Sequence, residues 1–379
     1  MRIRSIKAVP VSFRVPEGQN VTLGIGRAVK RDAVLIKVET DEGLTGWGEA
    51  HHGRCPGAIA KLIDTTLSEL VVGMDALDVV GVWARVYKMQ LASHGMGAAA
   101  AMALSGLDIA LWDIRGKAAG WPIWRLLGGA AKPIKAYAGG ISLGWQEPSS
   151  LAEEAQGHVA SGYRALKLRM GDTPAKDIAR ARAVRDAVGD EIDILTDANT
   201  GYSLADVRKV MPVFEELAIG WLEEPFPPHD HRLYREAAAL GTVPLAAGEN
   251  HFTRFEFTTL IEDGAVGYVQ PDLSKTGGIT ETMRIANLAS AYKMSVNPHT
   301  SATGINMVAT LHLLAAVDNP GYFEGDVAAH NPFRDEVVGT PYRLDGNGCV
   351  TAMEGPGLGV EIDEDFIARH GLIEGPCYV

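Results

Sequence analysis

Three carboxylates, Asp197, Glu223 and Glu249, stand 26 residues apart, and each closes an apolar run. A strand, a helix and their two loops take about that many residues in a (β/α)₈ barrel of ~250 residues. The spacing therefore puts the three acids on successive strands, side by side at the C-terminal mouth of a barrel. Acids that close resist ionising together unless a cation holds them. An all-oxygen ligand set with room for water and substrate suits a hard divalent ion, Mg²⁺, with Mn²⁺ as the alternative.

The period continues on both sides. Upstream, Ala165–Leu166–Lys167–Leu168–Arg169 reads as a short strand whose residues 167 and 169 face one side, because side chains alternate along a strand. Downstream, apolar runs end at Asp272, His299 and Glu324, at intervals of 23, 27 and 25 residues from Glu249 onward. One ring of strand ends thus offers Lys and Arg, three acids, then Asp, His and Glu.

These motifs resemble the enolase superfamily and, within it, the mandelate racemase subgroup. The resemblance rests on Lys167–Leu168–Arg169, Thr196–Asp197–Ala198–Asn199, Glu223–Glu224–Pro225, Gly248–Glu249–Asn250, Gln270–Pro271–Asp272 with Lys275–Thr276–Gly277–Gly278, and Asn297–Pro298–His299. The N-terminal Gly46–Trp47–Gly48–Glu49 and Ala110–Leu111–Trp112–Asp113 also fit, so the similarity covers essentially the whole chain. It implies a (β/α)₇β modified TIM barrel, an α/β fold, with an α+β capping domain completed by the C-terminal tail.

The resemblance also implies a reaction: removal of the proton beside a carboxylate, with Mg²⁺ on Asp197, Glu223 and Glu249 stabilising the enediolate. His299 would be base or acid on one face, with Asp272 fixing its tautomer. Glu324 would hydrogen-bond the substrate carboxylate or enediolate, and must be protonated to donate. Asn199 is a candidate substrate contact. Arg169 departs from the family, which more often has a second lysine there. Arginine is a poor base at neutral pH but a good holder of carboxylates and oxyanions. Lys167, desolvated beside Arg169 and the metal, is expected to have a lowered pKa and to act as a base. Two equal bases, which racemisation needs, are not expected. The reading favoured is an acid-sugar (aldonate or aldarate) dehydratase, with an epimerase or racemase and a sugar-lactone cycloisomerase as alternatives. The tail motifs His330–Arg334 and Gly355–Gly359 are similar to those of cycloisomerases. A non-catalytic binding protein would not need an intact acid, base and metal set.

Elements must position these groups. Residues 1–50 alternate like antiparallel strands, with a glycine-rich lid loop near Val15–Arg27. Residues 57–127 carry helical periodicity, and barrel strand 1 begins near Ile134. The expected division is 1–127 as capping domain with lid loops, 128–325 as barrel, and 326–379 as a tail packing back on the cap. Arg27 and Lys30 in one lid loop, and His51, His52 and Arg54 in another, would form a polar, cationic pocket suited to hydroxyls or a second carboxylate.

Composition agrees. At 379 residues the chain exceeds one barrel by about 130 residues, so a second domain is expected. Apolar residues make up 46% and charged ones 22%, as in a globular enzyme. A net charge of −12 without a basic block argues against nucleic acid. Cys55, Cys349 and Cys377 have no metal-ligand spacing, and the N-terminus lacks a signal-peptide core, so a cytoplasmic location is expected. The alanine-rich stretch from Ala98 is read as a buried helix rather than a membrane span, because Asp108 and Asp113 interrupt it. The expected partner is a small carboxylate substrate, with neither membrane nor nucleic acid. By resemblance the chain is a homo-oligomer.

Overall fold

In the computed structural model, which describes all 379 residues, eight parallel strands carry the ring. The cap supplies β1 (Ile3–Arg14), β2 (Lys30–Thr40), β3 (Thr45–Ala50) and the long helix α1 (Ala98–Ala119). The barrel then runs β4 (Ile134–Gly139), α2 (Pro148–Ala160), β5 (Ala165–Arg169), α3 (Pro174–Val188), β6 (Asp193–Asp197), α4 (Leu204–Glu216) and β7 (Ile219–Glu223). It continues with α5 (His231–Ala238), β8 (Leu245–Ala247), α6 (Thr253–Glu262), β9 (Tyr268–Val269), α7 (Gly278–Ala291), β10 (Ser295–Val296), α8 (Gly304–Ala316) and β11 (Phe323–Asp326). Eight strands and seven intervening helices make the expected (β/α)₇β barrel. β11 pairs with β4, and a parallel bridge from Val296 to Pro320 closes the ring between β10 and β11.

Alternation along the strands divides two cores. Leu166 and Leu168, Ile194 and Leu222 point outward to the helices. Ala165, Leu195, Trp221 and Ala246 point inward, and with Tyr137 they plug the barrel below its mouth. Lys167, Arg169, Asp197 and Glu223 occupy the next inward positions on the same strands, so the period that fills the core also aims the charged groups into the mouth. Helix starts are set locally. Ser203 and Asp206 form a capping box before α4, and prolines occupy the first turns of α2 and α3, where no amide hydrogen is needed.

The cap is a three-stranded antiparallel sheet in the order β1-β2-β3, with α1 on its face. A Cβ at Gly48 would run into the carbonyl oxygen of Gly106 on α1, so close sheet–helix packing requires glycine there. The alanine-rich stretch read as a buried helix is α1, and it is buried along most of its length. No helix is long and apolar enough to cross a membrane. Its Asp108 accepts the Thr280 amide (2.9 Å) at the start of α7, and Asp113 accepts the amides of Trp47 and Leu358. Burial pushes Asp108 up to about 7 despite those bonds. The tail touches both parts: residues 349–350 pair with β4, Gly357 bridges to Pro122, Gly371 to Val11, and Tyr378 to Ala28. The expected lid loop is partly a hairpin, Thr22–Leu23 against Gly26–Arg27.

Candidate active site at the barrel mouth

Strand register brings the ring together. Arg169 pairs with Asp197 across β5 and β6, and Asp197 with Glu223 across β6 and β7. Glu249 follows β8, Asp272 and His299 follow β9 and β10, and Glu324 lies inside β11 rather than after it.

Lys167 is fully buried, with Nζ 3.0 Å from Glu223, 3.0 Å from Glu324 and 3.7 Å from Asp197. Burial alone would lower its pKa, but Glu223 and Glu324 outweigh it and hold the ammonium well above its ordinary value. The lowered value expected from sequence is thus reversed by carboxylates that only the fold brings near. Arg169 donates to Asp197 and to the Gly140 carbonyl (2.5 Å). Glu324 accepts from Lys167 and the amides of Gly140 and Thr300. Burial raises its pKa, yet Lys167, His299 and Arg169 bring it down to about 2. The expected protonated Glu324 is therefore corrected: the carboxylate is held ionised and accepts.

His299 lies between two acids, Nδ1 2.7 Å from Asp272 and Nε2 2.7 Å from Glu249. Asp272 is itself held by Ser274, Ser301 and Asn306. The acceptor at Nδ1 fixes which ring nitrogen faces the cavity.

Glu49 supports this pair from the cap. Its buried carboxylate accepts the amides of Thr303 (3.3 Å) and Asn306 (3.1 Å) at the start of α8, and Asn306 Nδ2 donates to Asp272 (3.1 Å). Burial pushes Glu49 up to about 8 from 4.5. A pKa raised by folding contributes stability below the unfolded value that is lost as pH rises through the folded one. Urea midpoints of wild type should therefore fall from about pH 5 to 8 more steeply than those of Glu49→Gln, which carries no titrating proton. Glu49→Ala, which strands two buried amides, should cost ~1–3 kcal/mol at any pH. Parallel slopes in wild type and Glu49→Gln would refute the pH effect.

One cavity spans the mouth and the cap. Arg169, Asn199, Glu249 and His299 lie on its barrel side, and His51, His52 and Arg54 on its cap side. Asn199 donates to Asp197 from its backbone (2.8 Å) and side chain (3.1 Å), and its buried Oδ1 has no partner. The two histidines stack at 4.1 Å and are expected to be neutral. Burial keeps both low, His52 at about 3. The cationic contribution expected of them is instead made by Lys30, Arg31, Arg54 and Lys275. Arg27 does not reach the cavity: the hairpin turns it outward, exposed, while its backbone pairs with Val379.

Several groups at the mouth had no role assigned from sequence. Glu224 accepts from Asn250 (2.7 Å) and leaves Oε1 unpartnered. Gln270 donates to Glu223 (2.7 Å), and Lys275 lies 3.8 Å from Glu249. Their place in the Glu-Glu-Pro, Gly-Glu-Asn and Gln-Pro-Asp motifs was the available signal. Arg31 and Tyr378 gave none.

The donor chemistry fits a divalent cation. Asp197, Glu223, Glu224, Glu249, Asp272 and Glu324 face Lys167, Arg169, Lys275 and His299, so the acids are in excess even with His299 charged. Burial first, then neighbouring carboxylates, push Glu224 well above its ordinary value, and Glu223 up to about 7 although Lys167 opposes. Of these oxygen-only groups, Asp197, Glu223 and Glu249 are the candidate ligands for Mg²⁺. Another compact donor set, Asp32, His52 and Cys377, lies near the cap side. Lys30 Nζ already stands 3.1 Å from Asp32, and His52 Nδ1 accepts the Arg54 amide, which leaves the proton on Nε2. That set is poorly prepared for a metal.

The family comparisons agree with this geometry. Residues 7–128 match the mandelate racemase / muconate lactonizing enzyme N-terminal domain, and residues 150–366 the enolase C-terminal domain-like family. The chain is 35% identical to D-galactarolactone cycloisomerase of Agrobacterium fabrum, over 90% of this chain and 91% of that one. It is 34% identical to arabinonate dehydratase of Saccharolobus solfataricus, over 90% of each. The crystal structure of an enolase superfamily member from Polaromonas sp. JS666 superposes with a TM-score of 0.98 at 56% identity, covering 100% of both chains. A racemase from Streptomyces coelicolor A3(2) with bound magnesium superposes at 0.88 with 28% identity, covering 98% of this chain and 100% of that one. The chain is an enzyme of the enolase superfamily and belongs to its mandelate racemase subgroup.

Proposed function

We propose that this enzyme is an Mg²⁺-dependent acid-sugar dehydratase. The observation that carries the reading is the asymmetry of the mouth. His299, oriented by Asp272, is the one imidazole on the barrel side of the cavity, whereas Arg169 is tied to Asp197 and Gly140 where a second base would stand. A racemase needs a proton-transfer group on each face; elimination of water needs one group that moves a proton and others that hold charge. The arabinonate dehydratase relative supports the same reaction class.

Asp197, Glu223 and Glu249 would hold Mg²⁺, which when bound supplies Lewis acidity toward the substrate carboxylate; the magnesium-bound racemase neighbour supports this choice. Lys167 and Arg169 hold negative charge developing on the carboxylate oxygens. Asn199, with its free Oδ1, accepts from a substrate hydroxyl. His299 takes the proton from C2 and returns one to the hydroxyl leaving C3. The C2–H and C3–O bonds break, water departs, and the resulting enol becomes the 2-keto-3-deoxy acid. The three free cysteines support a reducing compartment, the cytoplasm.

The cycloisomerase relative favours a second reading, opening of a sugar-acid lactone by β-elimination. A panel of aldonates, aldarates and aldarolactones, incubated with Mg²⁺, distinguishes the two. Formation of 2-keto-3-deoxy acid from an open-chain acid supports dehydration. Reaction of lactones alone would refute it.

A further inference from the structure

Three side chains, two from the cap and one from the tail, enter the cavity with donor atoms that have no acceptor. Arg31, at the start of β2, is 7% exposed, and its Nε has no partner. Its only ion pair is a 3.4 Å contact from the other end of the guanidinium to Asp326. Arg54, in the loop after β3, makes no salt bridge; its guanidinium lies over the ring of Tyr378, 5.5 Å from the centroid. Tyr378 comes from the tail, placed beside the lid hairpin by its pairing with Ala28, and its hydroxyl has no protein partner.

The neighbouring charges do not silence this group. Lys30 is taken by Asp32 and by the carbonyls of Ile373 and Gly375. Arg31 faces Asp326, His51 and His52 are neutral, and Arg54 remains as one uncompensated positive charge. A buried guanidinium nitrogen without an acceptor is costly, and a planar arginine fork matches a carboxylate. Glu249, His299 and Arg169 line the barrel side of the same cavity.

We infer that Arg31, Arg54 and Tyr378 form a second anion subsite, which binds a carboxylate at the end of the substrate remote from the reacting carbon. The substrate class is then a dicarboxylic sugar acid, open-chain or as its monolactone, rather than a monocarboxylic aldonate. This inference rests on the acid-sugar reading above and narrows it. A terminal hydroxymethyl group would leave the Arg54 charge unmatched. The tail is part of the site on this view, because its Tyr378 closes the subsite.

Titration calorimetry with Mg²⁺ present, using galactarate and glucarate against galactonate and gluconate, tests it. The better aldarate should bind at least ~10-fold more tightly than its matched aldonate, as expected for charge-assisted hydrogen bonds. Arg54→Gln, on an exposed loop, should narrow that ratio toward one, and Tyr378→Phe should narrow it partly. Equal or tighter aldonate binding, failure of both aldarates to bind, or equal weakening of both acids by Arg54→Gln would overturn the subsite. Tight aldarate binding without any dehydrated product from either the open acid or its lactone would leave the subsite standing and overturn the dehydratase reading instead.

Discussion

Glu223→Gln and Asp197→Asn should abolish measurable turnover and weaken Mg²⁺ binding severely. Both carboxylates are buried at the mouth, and their neighbours are arranged for a charge that a neutral amide does not carry. Glu223 accepts from Lys167, Trp221 and Gln270; Asp197 accepts from Arg169 and Asn199. The core lies elsewhere, in the barrel plug and beneath the helices, so both variants should keep the wild-type far-ultraviolet spectrum. Titration calorimetry with Mg²⁺ is the check. Wild-type affinity in either variant would remove these residues from the ligand set.

The second large effect concerns the proton-transfer pair. His299→Asn should lower kcat by at least ~10²-fold, the lower range for loss of a general acid or base. Asp272→Asn should also be damaging, because an amide in place of the Nδ1 acceptor no longer fixes the ring's tautomer. It would also disturb Ser274, Ser301 and Asn306, which all donate to Asp272. The effect should fall on kcat more than on KM, since neither side chain is needed to hold the metal. Steady-state kinetics on a confirmed substrate separates the two parameters. A His299→Asn enzyme with wild-type kcat would move proton transfer to another residue.

The ring itself was readable because strand period and barrel repeat act together. Each inward position on β5, β6 and β7 lies two residues beyond a plug residue, and apolar runs mark where each strand ends. The β9 and β10 strands are shorter than their apolar runs suggest, two residues each, since only Tyr268–Val269 and Ser295–Val296 pair with neighbours. Charge states were not readable. The Lys167 and Glu324 shifts depend on each other across β5 and β11, which lie more than 150 residues apart in the chain. The cap side of the cavity was only partly legible. A six-residue hairpin rotates Arg27 outward, β2 carries Arg31 inward, and the tail delivers Tyr378 through backbone pairing that no local pattern announces.

The claim that one proton-transfer face performs a dehydration is tested most directly by running the wild-type enzyme in D₂O and following substrate and product by NMR. The expected result is a 2-keto-3-deoxy acid carrying deuterium at C3, where the enol is protonated, with recovered substrate unlabelled at C2 and of unchanged configuration. Recovered substrate inverted at C2 and carrying deuterium there, with no dehydrated product, would contradict it and make the enzyme an epimerase.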